Sequence, residues 1–182
     1  MPAATVDDLL DAEDWGGART LLRQQLSSEP ESHRLLALLA STYYEERDYE
    51  RALAFYEEAM RFERHCPLVR WGYANALHML GRHEEAILSY SLLILRGPES
   101  IAADECGEGI ARARGMVADS HFRASRSLDA LGRKVQADGA FIAYLHMRGP
   151  HCFCIYPLDH NPTVGEHLIG RRRRTRRSRR TA

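Results

Sequence analysis

The sequence predicts an all-α fold, a short stack of helix hairpins ending in an arginine-rich tail, and three observations carry that prediction. Residues 33–66 place apolar side chains at helical spacing in two blocks, Leu35, Leu36, Leu38, Leu39 and Tyr43, then Ala52, Leu53, Phe55, Tyr56 and Ala59. A polar break from Glu46 to Asp48 separates the blocks. The same layout returns without a gap in residues 67–100. The chain, 182 residues with 45% hydrophobic content, is long enough to bury a core of stacked hairpins and too short for a second large domain.

The register is specific. Counting residues 33–66 as positions 1 to 34, small residues fall at position 8 (Ala40), 20 (Ala52) and 27 (Ala59), where helices can approach closely, and Tyr56 supplies bulk at position 24. In residues 67–100 the matching residues are Ala74, Ala86 and Tyr90, with Gly81 at the turn between helices and Pro98 at position 32. A truncated first copy aligns Trp15 near the turn, Ala18 at 20, Leu22 at 24 and Pro30 at 32. A last copy begins at Ala118, with Ser125 at 8, Leu131 and Gly132 at the turn, Ala137 at 20 and Phe141 at 24. Gln25 and Tyr144 replace the small residue at position 27, and Arg64 replaces the proline. The pattern resembles the tetratricopeptide repeat, a 34-residue helix-turn-helix. The resemblance covers about residues 5 to 149 and implies a short right-handed α-solenoid, with repeats at 1–32 (truncated), 33–66, 67–100 and 118–150 and an insert at 101–117.

Element by element, Thr5 ahead of Asp7 and Asp8 caps a short helix through about Ala12, which is expected to shield the apolar edge of the stack. Helices are expected over 14–28, 33–46, 48–64, 67–80 and 83–96, ended in turn by Pro30, Pro67, Gly81 and Gly97-Pro98. The insert keeps helical apolar spacing at Ile101, Cys106 and Ile110, so the first helix of the last repeat is expected to run backwards through it, from about 102 to 131. Its glycines, Gly107, Gly109 and Gly115, each cost about 1 kcal/mol in a helix interior. The alternative is a separate short helix with a kink at Gly115. After the repeat domain, 1–150, residues 151–170 contain Phe153, Ile155, Tyr156, Pro157 and Pro162 and are expected to form an extended segment capping the last helix. Residues 171–182 lack apolar side chains and are expected to be a disordered basic tail.

Net charge is zero, but Arg171 to Arg180 holds eight arginines, leaving 17 basic against 25 acidic residues before it. An acidic body thus carries a basic tail. The beginning MPAATVDDLLDAED has neither a positive region nor an apolar run, and no stretch approaches ~18 uninterrupted apolar residues. A cytoplasmic protein with reduced thiols and no membrane span is expected. Lys134 stands alone against 24 arginines, a bias that suggests a GC-rich, bacterial coding sequence.

No catalytic grouping stands out: phosphate loop, GxSxG and HExxH are all missing, and CGEG at 106–109 matches no nucleotide fingerprint. His146, His151, Cys152, Cys154, His160 and His167 are donor types that zinc and copper favour. Their CxC pair and irregular histidine spacing favour an apolar cap instead, so no metal, cofactor or enzymatic activity is expected. The repeat resemblance implies that the first helix of each pair lines a concave groove. The residues it places there are Arg34, Tyr44 and Glu45, then Trp71, Asn75, His78 and Met79, then Asp119, Phe122 and Arg126. Relatives that bind the C-terminal peptide of heat-shock chaperones use a carboxylate clamp; only Asn75 occupies a clamp-like position here, which disfavours that ligand. The resemblance therefore implies an adaptor or scaffold that binds a protein or peptide partner in the groove. The alternative is a nucleic-acid or anionic-surface binding protein acting through Arg171, Arg172, Arg173, Arg174, Arg176, Arg177, Arg179 and Arg180, with sequence-independent, salt-sensitive affinity and the repeats as assembly platform.

Overall fold

A computed structural model describes residues 4–148, and within them eight helices follow one another. They are α1 (Val6–Asp11), α2 (Trp15–Ser28), α3 (His33–Glu45), α4 (Tyr49–Phe62), α5 (Pro67–Met79), α6 (His83–Ala102), α7 (Ile110–Ala130) and α8 (Lys134–Met147). Each packs on the next, and α3, α5 and α7, the first helices of successive hairpins, also lie side by side. The result is an all-α solenoid of four hairpins.

One turn geometry is repeated in all four. The residue at position 15 takes a left-handed backbone, with φ of 56° at Glu13, 65° at Arg47 and 74° at both Gly81 and Gly132. The amide at that position bonds three residues back and the next amide five residues back, as in Gly81 to His78 O and Arg82 to Leu77 O. Identical pairs occur at Glu13 and Asp14, at Arg47 and Asp48, and at Gly132 and Arg133. This is the bonding that closes a helix end through a left-handed residue. The chemistry is distributed unevenly. In the first two hairpins a non-glycine residue bears the left-handed strain, but the following Asp14 or Asp48 caps the next helix, accepting from Gly17 N or Arg51 N. In the last two, glycine relieves the strain and the capping position holds an arginine, which makes no side-chain cap.

The expected small and bulky positions form the core. Ala18, Ala40, Ala52, Ala59, Ala74 and Ala86 are fully buried, as are Leu22 and Tyr90, and Tyr56 is nearly so. The Tyr56 ring lies so close to Gly72 that no Cβ could be added there without displacing it. The last hairpin departs from the rule: Tyr144, at the position held by Ala59 in residues 33–66, is the buried residue, whereas Phe141 is half-buried. Both rings pack around Phe122, with Phe122 and Tyr144 centroids 5.1 Å apart.

The insert differs from expectation. Gly97 (φ 74°, ψ 159°) breaks α6 where Gly97-Pro98 is expected to end it, but the helix resumes at Pro98 and runs to Ala102, burying Ile101. No continuous helix spans 102–131. Residues 103–109 form a loop, with Glu108 (φ 50°) and Gly109 (φ 85°) both left-handed, and α7 starts only at Ile110. The alternative kink at Gly115 is absent too, since Gly115 is buried inside a regular α7. Two consecutive positive-φ residues end helical propagation more firmly than scattered glycines do. The capping segment 151–170 and the tail 171–182 lie outside the described residues.

Candidate functional site

The inner positions of α3, α5 and α7 face one another, and much of their polar chemistry is spent internally. Asp119 is buried at 3% exposure and pairs with Arg123, one helical turn on, through Oδ2 to Nε at 3.0 Å. Trp71 Nε1, on α5, donates to the same oxygen at 3.0 Å. Arg123 reaches across to α3, where its Nη1 donates to Tyr44 Oη at 3.2 Å. Farther along, His78 Nδ1 shares a 2.7 Å hydrogen bond with Ser127 Oγ. The α7 helix is thereby fastened to both preceding first helices.

Burial tunes these groups. It raises the Asp119 carboxyl above its usual range against the opposing pull of Arg123 and Trp71. It also raises the Tyr44 phenol, opposed by Arg123. Burial pushes His78 down to about 4, with Arg123, His83 and Arg126 adding like-charge repulsion. His78 is therefore a neutral imidazole at physiological pH.

The ten residues expected in the groove divide into three sets. Asn75, Asp119 and Phe122 are buried, and the expectation that they face a ligand is corrected. Asn75 Oδ1 accepts from Tyr90 Oη at 2.8 Å across its own hairpin, and Phe122 packs on α8. Tyr44, Trp71, His78 and Arg126 are half-buried; Arg34, Glu45 and Met79 are exposed. Glu45 and Met79 end α3 and α5, and Arg126 lies one turn before the end of α7. Of the residues that keep exposure, Arg34 lies at the start of α3, and Glu45, Met79 and Arg126 lie towards the C-terminal ends of the first helices. The tail arginines, Arg171 to Arg180, lie outside the described residues.

Sequence reasoning missed two features. Arg123 is the hub of the internal network, and its only sequence signal is i,i+4 spacing from Asp119 on a helix of mixed composition. The second is a cluster at the opposite ends of the first helices, where His33 begins α3, Cys66 is the residue before α5 and Cys106 sits in the insert loop. His33 Nε2 and Cys106 Sγ are 3.1 Å apart, and the donor atoms of all three residues lie within 4.8 Å of one another. Burial, then the hydrogen bond with Cys66, pushes the Cys106 thiol up to about 12. His33 and Cys66 stand at the first and last positions of one repeat, a spacing that brings the starts of adjacent first helices together. Cys106 could not be placed from sequence because its loop reads as helix. Of the expected histidine and cysteine constellation, only His146 is described, and it is exposed.

Comparison with curated proteins returns no match. Family models do match: one tetratricopeptide repeat model covers residues 4–63 and another residues 43–104. Together they span the first three hairpins, including the shared left-handed turns at Glu13, Arg47 and Gly81. With recurring turns, buried alanines at positions 8 and 20 and first helices aligned in a row, the chain belongs to the tetratricopeptide repeat family.

Proposed function

We propose that the protein is a non-catalytic adaptor that binds a segment of another protein along its concave face, at the C-terminal ends of α3, α5 and α7. Tetratricopeptide repeats are generally protein-interaction modules. The observation that carries the reading is the composition of that edge: exposed Met79 beside half-buried Tyr44 and His78, flanked by Glu45 on one side and Arg126 on the other. An apolar anchor with a charged rim is the usual anatomy of a protein-binding surface. The internal network supports the same reading, because it fixes the backbone of all three helices before a ligand arrives and so lowers the ordering cost of binding.

A second surface has its own observation. On the outer face of α6, Leu88, Leu92 and Leu95 are 66%, 43% and 82% exposed, a stripe at helical spacing that suits a partner helix. Affinity purification from the native cell, with wild type, Met79→Glu/Arg126→Glu and Leu88→Glu/Leu92→Glu as baits, separates the two surfaces. The concave reading expects the first variant alone to lose the partners. Loss with the α6 variant alone would overturn it.

A further inference from the structure

We infer that His33, Cys66 and Cys106 form a zinc site that clips the insert loop onto the repeat stack. Two sulfurs and an imidazole nitrogen from three separate elements converge on one point, and this donor set suits Zn2+, which prefers thiolate and imidazole in tetrahedral array. The spacing is appropriate. Zinc with bonds of about 2.3 Å to sulfur and 2.0 Å to nitrogen holds such donors about 3.5 Å apart, close to the 3.1 Å between His33 Nε2 and Cys106 Sγ. The site is nearly dry: Cys66 is 1% exposed and Cys106 4%, while half-buried His33 leaves an approach from solvent.

The surroundings hold these donors in place. Cys106 N donates to Asp104 Oδ1 at 3.1 Å, and the other oxygen of Asp104 pairs with Arg96. Arg96 Nη1 in turn donates at 2.7 Å to the carbonyl of His65, the residue before Cys66. One arginine therefore ties the two cysteine-bearing segments together. Gly107 packs against the Ile101 carbonyl with no room for a Cβ, which sets the loop close against the end of α6. A loop with such a brace places Cys106 far more firmly than an apolar side chain in a surface connection requires.

On binding, the two thiols each release a proton and form a bond to the metal, while neutral His33 contributes its Nε2 lone pair. Three protein donors leave the fourth position to water or an added ligand. The metal would bind the preformed site of the folded chain more tightly than the separated donors of the unfolded one, raising its melting temperature.

The test uses the full chain, reduced and stripped of metal, titrated with Co2+ and with Zn2+. Expected are one tightly bound equivalent, thiolate-to-cobalt charge-transfer absorption, and a melting temperature that rises with Zn2+. His33→Ala should retain the helical circular dichroism of wild type and weaken Zn2+ binding by more than about 100-fold, beyond the loss of a supporting residue. Cys66→Ser and Cys106→Ser should each remove part of the charge-transfer band, and Cys152→Ser/Cys154→Ser should leave it intact. Reduced protein that binds no stoichiometric metal would overturn the proposal. So would binding lost only in the Cys152/Cys154 variant, or a Cys66–Cys106 disulfide formed in air that metal does not prevent.

Discussion

Arg123 shows how a single buried charge organises the inner face. Its side chain is 7% exposed, yet the guanidinium is matched by the Asp119 carboxylate and the Tyr44 hydroxyl, while Trp71 donates to that carboxylate from α5. Removing one member of a buried pair leaves the other uncompensated, which costs about 3 to 5 kcal/mol. Arg123→Met is therefore expected to lose that much in urea denaturation, and Asp119→Leu/Arg123→Met to lose less than the single variant. Arg82→Met, which breaks an exposed pair with Glu85, is the comparison and should change stability by less than about 1 kcal/mol.

His78 yields a pH prediction at the same scale. Its folded pKa is about 4 against 6.5 for the free side chain, so between these values the unfolded chain takes up a proton that the folded chain does not. Stability contributed by neutral His78 is complete above pH 6.5 and falls as the pH drops towards 4, by at most about 3 kcal/mol. His121, lowered by burial, adds in the same direction. Melts of wild type and His78→Gln across this window should show a shallower decline for the variant; parallel curves would mean that His78 is as solvated folded as unfolded.

The element scale is set by turns and crossings. Arg47 bears left-handed strain that glycine bears at Gly81 and Gly132, so Arg47→Gly is expected to raise stability by about 0.5 to 1 kcal/mol once glycine's larger unfolded-state entropy is deducted. Ala86 has no exposed surface, and Ala86→Leu is expected to overpack the crossing and cost about 1 to 3 kcal/mol. Glu57→Leu, on the exposed face of α4, should be nearly neutral. Denaturant melts giving the reverse order would place the repeat register wrongly.

At this scale the sequence was most informative where chemistry recurs. Alanines at 40, 52, 74 and 86 announced the crossings because close approach tolerates only small side chains, and Gly81 announced a helix end, while Pro67, expected to end α4, instead begins α5. It was least informative at the insert, where Ile101, Cys106 and Ile110 keep helical spacing although the backbone turns left-handed at Glu108 and Gly109. Periodicity reports which positions are apolar, and a loop that tucks Cys106 inward can satisfy it as well as a helix. Groove positions were legible as places on first helices but not as exposed surface. Burial of Asp119 and Asn75 depends on Arg123, Trp71 and Tyr90, residues up to 48 positions apart.

For the whole molecule, the two ends of the first helices take different roles. The starts of α3 and α5 meet the insert loop at His33, Cys66 and Cys106, whose donor atoms lie together. Their C-terminal ends carry Glu45 and Met79, which the proposed function assigns to a partner. Between them the network from Tyr44 to Asp119 holds the helices in one arrangement, so binding at one end requires no rearrangement at the other.

The most direct test of this account is site-specific photo-crosslinking in the native cell, with a benzophenone side chain placed at Met79 in one protein and at Leu88 in another. Both positions are exposed, and they lie on opposite helices of one hairpin. The account predicts a discrete crosslinked partner from position 79, abolished when Arg126→Glu is added, and none from position 88. A partner captured from position 88 with nothing from position 79 would contradict it.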